Sequence, residues 1–189
     1  MDRKVKPFVT PEEYLEIERH AEYKSEYYNG EIFALAGASH YHNLIALNFA
    51  TFLNSRLKEK NCYVYNNDMR LFIESYSLYT YPDIMVICGE IKFGDDRKDI
   101  VLNPLLIIEV LSKSTESYDR GKKFEFCRSI PSLKEYIMVS SDRTLIETYS
   151  KDEKKQWVLK DENSPEASAQ ISSLDLQIPL KDIYFKVDF

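Results

Sequence analysis

The sequence predicts an α/β protein of the α+β kind, built on a mixed sheet, and three observations predict it. Two apolar, strand-like runs, YPDIMVIC (81–88) and LLIIEVL (105–111), are each interrupted by one acid. A helical pattern over roughly 41–59 precedes them, and a polar loop leading to a second helix follows them. The dipeptide Asn29-Gly30 sits between two short β-forming runs and marks a hairpin, because a two-residue type I′ turn needs positive φ at both positions.

In chain order, Thr10-Pro11-Glu12-Glu13 is a helix start: Thr10 caps, Pro11 suits the first helical position and Glu13 completes a capping box. The helix is expected to run to about Arg19. EYYNGEIFALA (26–36) is the hairpin. In the next helix Ile45, Phe49, Phe52, Leu53 and Leu57 recur on one face, with Ser39 available as its cap and His42 in its first turn. CYVY (62–65) and MRLFI (69–73) read as strands, and 75–80 as loop. Pro82 stands at a strand edge, where proline is tolerated. Residues 89–104 are a polar connection too long for a tight turn and read as a flexible flap. A helix from about Arg120 to Ser129 is stopped by Pro131, and YIMV (136–139) is a short buried strand. TLIETY (144–149) and QWVLK (156–160) suit a peripheral antiparallel pair, and Ile178, Leu180 and Ile183 dock an otherwise polar tail.

Composition bounds the function. A chain of 189 residues is most simply one domain with its own core. Fourteen Tyr against five Gly exclude a disordered or fibrous chain. No apolar run approaches the ~18 residues that span a bilayer, and MDRKVKPFVTPEEY lacks an apolar leader, so a cytoplasmic location is expected. Three widely spaced cysteines, two of them within apolar runs, read as buried free thiols sooner than as disulfides or a zinc site. The net charge of −6 requires that any nucleic-acid grip be local or shared with another subunit.

The chemistry lies in the central stretch. Strands alternate faces, so Leu105, Ile107, Glu109 and Leu111 share one side and Leu106, Ile108 and Val110 the other. Both sides are apolar except at Glu109. A carboxylate there is costly unless it is paired or binds a cation, and Asp83 raises the same question at the start of its own strand. Were the two strands antiparallel neighbours, both acids would stand at one end of the sheet, able to share one hard cation. Pairing of each acid with Arg70, Arg120, Lys122 or Lys123 is the structural alternative. No GxSxG, Walker A, HExxH or dinucleotide glycine pattern is present.

Pro82-Asp83, a spacer, and Glu109 with lysines beyond it resemble the PD-(D/E)xK nuclease signature. EYYNGEIFALAGASHYHN, then TYPDIMVIC, then NPLLIIEVLSKSTESYDRGKKFEFCRSIPSLKEYIMVS resemble, over nearly the whole chain, the Uma family of restriction endonucleases in that superfamily. The resemblance implies a restriction-endonuclease-like αβββαβ core with an added N-terminal helix and hairpin, Mg²⁺ or Mn²⁺ as cofactor, and DNA as substrate. It implies Asp83, Glu109 and the carbonyl of Val110 as metal ligands. The motif lysine falls at Leu111, so the simple pattern fails, and the resemblance points to a migrated lysine, Lys123, ahead of Lys113 and Lys122. Glu31, His42 and Asp68 match further polar positions of the family pattern, with Glu26 weaker. A homodimer would suit two-strand cleavage. The displaced lysine and acidic charge also suit a decayed nuclease fold that serves as a nucleic-acid-binding or protein-interaction module.

Overall fold

The computed structural model describes residues 8–189. The absence of a leader was read partly from residues 1–7, which lie outside the described residues. Helix α1 (Pro11–His20) begins with the expected reciprocal cap: the Thr10 side chain accepts from the Glu13 amide, and Glu13 accepts from the Thr10 amide. The hairpin joins β1 (Ser25–Tyr28) to β2 (Glu31–Ala34), with Asn29 at φ 46° and Gly30 at φ 87°, as the turn requires. Helix α2 (His40–Leu57) is capped by Ser39 and buries Ile45, Phe49, Leu53 and Leu57.

The remaining strands are β3 (Cys62–Asn66), β4 (Arg70–Ile73), β5 (Leu78–Thr80), β6 (Ile84–Cys88), β7 (Ile100–Val101), β8 (Leu106–Leu111), β9 (Glu135–Ser140), β10 (Ile146–Lys151), β11 (Trp157–Glu162), β12 (Ser168–Ile171) and β13 (Leu176–Pro179). Between β8 and β9 run α3 (Glu116–Tyr118), a π-helical turn (Asp119–Lys123) and α4 (Phe124–Cys127); α5 (Leu180–Ile183) follows β13.

Two sheets organise these elements. The central sheet has the order β11-β10-β9-β8-β6-β3, with β8 and β9 parallel and every other pair antiparallel. The second has the order β2-β1-β5-β4-β7. Parity along the central strands sorts the core. Ile84, Val86, Leu106, Ile108, Val110, Ile137 and Val139 pack on α2, β12, β13 and α5. Met85, Ile87, Ile107, Leu111, Tyr136 and Met138 pack on α4 and on Leu71, Ile73 and Leu78 of the second sheet. A strand buried on both faces by two helical or sheet layers explains why LLIIEVL shows no polar alternation.

Several expectations are corrected. Residues 75–80 are not all loop: a 3₁₀ turn with Ser77 at φ 48° reverses the chain into β5, whose Leu78 and Tyr79 are buried. The segment 89–104 is not a free flap. Ile100 and Val101 are buried, β7 pairs in parallel with β4, and Phe93 bridges to Val101. The helix after β8 begins at Glu116 and ends at Cys127, and the polar tail contains β12. Cys62 and Cys88 are joined as a disulfide, because the antiparallel register of β3 and β6 sets them directly opposite each other; Cys127 is free and buried. Ile178, Leu180 and Ile183 are fully buried, as the apolar spacing of the tail requires. No helix among the described residues is long and apolar enough to cross a membrane.

The hairpin turn is sharply constrained. A Cβ on Gly30 would demand an L residue at φ 87° and would run into the Phe8 ring. Gly30→Ala is therefore expected to cost more than about 1 kcal/mol, read as a lowered Tm in thermal unfolding.

Candidate functional site

Strands β6 and β8 are antiparallel with Ile84 opposite Ile108, so the residues one step outward, Asp83 and Glu109, face each other at one end of the central sheet. Both point to the side covered by the second sheet and by the π turn, following the parity of Met85 and Ile107. The Asp83 amide lies 3.5 Å from Glu109 Oε2, and Asp83 Oδ2 accepts a 2.8 Å bond from the Val110 amide. The strand ladder thus ends in side-chain partners, which lock the two acids to each other's backbone.

Lys123 reaches the pair from the π turn. Its ammonium is buried and stands 2.8 Å from Glu109 Oε1, and 3.8 Å from both Glu26 Oε1 and Asp119 Oδ1. A π turn widens the helix and redirects side chains relative to an α-helical continuation. Here it turns Lys123 inward while Lys122 stays exposed on Glu125 at 3.0 Å. Glu26 comes from β1 of the second sheet, and its Oε1 accepts from the Thr80 hydroxyl. Glu26 faces the centre because its neighbour Tyr27 is committed to the opposite face, stacked on Tyr14. His42, in the first turn of α2, places Nε2 3.1 Å from Asp83 Oδ2; its Nδ1 is buried with no hydrogen-bond partner among the described residues.

Four carboxylates, those of Glu26, Asp83, Glu109 and Asp119, therefore crowd one ammonium and one imidazole. Burial pushes the Glu109 carboxyl well above its ordinary range; Asp119 and Asp83 add to this, and Lys123 opposes it. Burial alone would lower the Lys123 ammonium, but Glu109, Glu26 and Asp119 together hold it well above its usual value. Asp119 is raised by burial in spite of Lys123 and a hydrogen bond to Thr115. Burial thus works against ionisation at Glu109 and Asp119, while their shared partner Lys123 works for it.

The structure brings together Asp83, Glu109, Lys123, His42 and the Val110 backbone. It places the other sequence candidates elsewhere. Asp68 is exposed in the β3–β4 turn, paired with Lys24 at 2.9 Å. Lys113 is exposed in the loop after β8. Glu31 is exposed beside the hairpin turn, opposite Tyr28; it is Glu26 that stands beside Lys123. Asp119 escaped the sequence reading although Asp119 and Lys123 carry the i, i+4 acid–lysine spacing that signals it. Thr80 carried no signal, since it acts only through a strand that was read as loop.

The arrangement can be set beside known proteins. A "Putative restriction endonuclease" family model, Uma2, matches residues 11–181. Among curated relatives, "Uncharacterized protein sll1609" of Synechocystis sp. is 38% identical over 168 residues, 89% of this chain and 95% of its own length. A second from the same organism, "Uncharacterized protein slr1290", is 34% identical over 180 residues, 94% of this chain and 92% of its own. The crystal structure of "a putative nuclease belonging to DUF820" from Anabaena variabilis shares the fold at a TM-score of 0.77 with 21% identity, covering 93% of this chain and 97% of that one. With a match over that span, on a mixed α+β fold ending in this acid pair, the chain belongs to the Uma2 family.

Proposed function

We propose that this chain is a metal-dependent endodeoxyribonuclease that hydrolyses DNA phosphodiester bonds with Mg²⁺ or Mn²⁺. The observation that carries the reading is the buried Asp83–Glu109 pair with the Lys123 ammonium 2.8 Å from Glu109. The family description and the fold likeness support it.

The donor set fits a hard divalent ion. Asp83 and Glu109 would supply the oxygen ligands, with the Val110 carbonyl as the third ligand that the family resemblance implies. No group of three His, Cys, Asp or Glu side chains among the described residues forms a ready cage. Mg²⁺ keeps several waters and is commonly held by one or two carboxylates plus substrate phosphate, so the Asp83–Glu109 pair would be its protein share. When bound, such an ion polarises a phosphoryl oxygen and acidifies a water.

The chain's own residues divide the remaining work. Asp83 is held in one rotamer by the Val110 amide and by His42 Nε2, so its second oxygen is aimed rather than free to swing. Glu109 is fixed by its strand and by Lys123. Lys123 keeps its proton because three acids surround it, and it supplies a fixed positive charge where the phosphorane builds negative charge. Asp119 and Glu26, each 3.8 Å from that ammonium, would keep it partnered if Glu109 held an ion. Cutting both strands of a duplex would bring two copies of the chain together.

Three outcomes test this. Calorimetry with Mn²⁺ should show binding to the native chain and none to Asp83→Ala, with plasmid nicking lost in parallel. Binding without nicking would favour a decayed nuclease fold, and no binding to the native chain would remove the enzyme reading. Lys123→Gln should lower cleavage by ~10²-fold while Mn²⁺ affinity stays level or rises, because a competing cation leaves Glu109; Lys113→Ala and Lys122→Ala should cleave like the native chain. The third outcome concerns pH. A carboxyl raised by folding contributes stability below its unfolded value and loses it as pH rises through its folded value. Without divalent metal, the Tm of Glu109→Gln should therefore gain on that of the native chain as pH climbs from the ordinary glutamate range toward neutrality. A difference that is flat or falls over that range would show that Lys123 neutralises Glu109 fully.

A further inference from the structure

Outside the acid centre lies a second buried polar cluster that the proposed chemistry does not use. Glu18, near the end of α1, is buried. Its Oε1 accepts from the Ser25 amide at 3.0 Å and from the Tyr81 hydroxyl at 2.9 Å, and its Oε2 accepts from the Ser25 hydroxyl at 2.5 Å. The Tyr81 hydroxyl in turn accepts from Arg70 Nε at 2.8 Å. The Arg70 guanidinium stands 5.3 Å from the Tyr81 ring centroid and 5.8 Å from that of Tyr14. The Tyr14 hydroxyl donates to the Ser25 carbonyl at 2.7 Å. Every polar group of Ser25 is thus engaged, and the Tyr81 hydroxyl both donates and accepts.

The positions of the anchored residues give the cluster its meaning. Ser25 immediately precedes Glu26, and Tyr81 stands two residues before Asp83. Pro82, between Tyr81 and Asp83, fixes its own φ, so a Tyr81 tied at its hydroxyl leaves Asp83 little freedom. Arg70 lies on β4, beside β5, whose Thr80 donates to Glu26. A buried Glu and Arg joined through a tyrosine are weak contributors to stability, since apolar packing of equal volume would serve as well. What they supply that apolar packing does not is direction. The Tyr81 hydroxyl donates to Glu18 and accepts from Arg70, so its place is set from both sides.

We infer that Glu18 and Tyr81 are positioning residues of the acid centre: through Ser25 and Pro82 they set the places of Glu26 and Asp83 from outside the site. This rests on the nuclease reading for its functional consequence, but not for its geometric one.

The test uses the full chain with Tyr81→Phe, which removes the hydroxyl, and Glu18→Gln, which turns one of the two acceptor oxygens into a donor; both keep the shape. The first readout needs no metal: hydrogen exchange of the Val110 amide, which donates to Asp83. Its protection should fall by about tenfold in both variants while the Val86 and Ile108 amides hold theirs. The second is Mn²⁺ affinity, expected to weaken by about tenfold. Glu135→Gln, which alters a buried acid bonded to the Ser172 and Ser173 amides away from the site, is the control and should move neither. Native Val110 protection and native affinity in both variants would overturn the inference, as would equal losses in Glu135→Gln. If the native chain itself binds no Mn²⁺, the nuclease reading falls, and the amide readout still decides whether the brace sets Asp83.

Discussion

The burial of the Glu109 carboxylate in the middle strand of the central sheet is the constraint on which the site depends. An ionised carboxylate out of water costs several kcal/mol unless something compensates it. Here the compensation is Lys123, brought in from a different element at 2.8 Å. Once Lys123 is buried, it too needs partners, and Glu26 and Asp119 supply them. The cluster is thus a chain of obligations: one buried charge calls for a second, and the second calls for two more from the second sheet and the π turn. That is why a catalytic-looking group of residues draws on β1, β6, β8 and the helical segment at once.

The second sheet exists in this account to deliver Glu26. On its far face Tyr27, Tyr79 and Phe72 form an aromatic layer with Tyr14 of α1, the Tyr14 and Tyr27 centroids 5.1 Å apart and those of Phe72 and Tyr79 4.3 Å apart. Such rings fill space between α1 and the sheet at modest entropic cost and hold β1 against β5. Alternation along β1 then leaves Glu26 on the side of the acid centre. Packing on one face of a strand sets the chemistry on the other.

Legibility in the sequence follows the range of the forces involved. The hairpin and α2 were plain because their signals are local: a turn dipeptide with its φ requirements, and one apolar helix face. The acid pair was legible because a lone carboxylate in an apolar strand contradicts its surroundings. Short strands were not: β7 has two residues and β5 three, too few for a period to show, and only pairing makes them strands. The Cys62–Cys88 pairing depends on strand register, which the spacing does not reveal. Glu26 and Asp119 gain their roles by convergence across elements far apart in the chain. Which of Lys122 and Lys123 faces the acid pair turns on the phase of a π turn, and an α-helical wheel gives no warning of that phase.

The acidity of the chain and its reading as a phosphodiesterase are two sides of the same electrostatics. With Glu26, Asp83, Glu109 and Asp119 gathered around one lysine and one histidine, the centre offers a phosphodiester little positive charge. A phosphate oxygen could approach Asp83 and Glu109 only with a cation between them, at contact distances where unscreened like charges are strongly unfavourable. On the nuclease reading, then, metal and substrate enter as one electrostatic unit, each lowering the cost of the other. On that reading the protein's part is to keep Asp83 and Glu109 aimed until both arrive. A basic active-site cleft would bind DNA without the ion and gain little at the reacting phosphate. On the nuclease reading an acidic one would make the ion a condition of binding, so that affinity would be realised where the chemistry takes place.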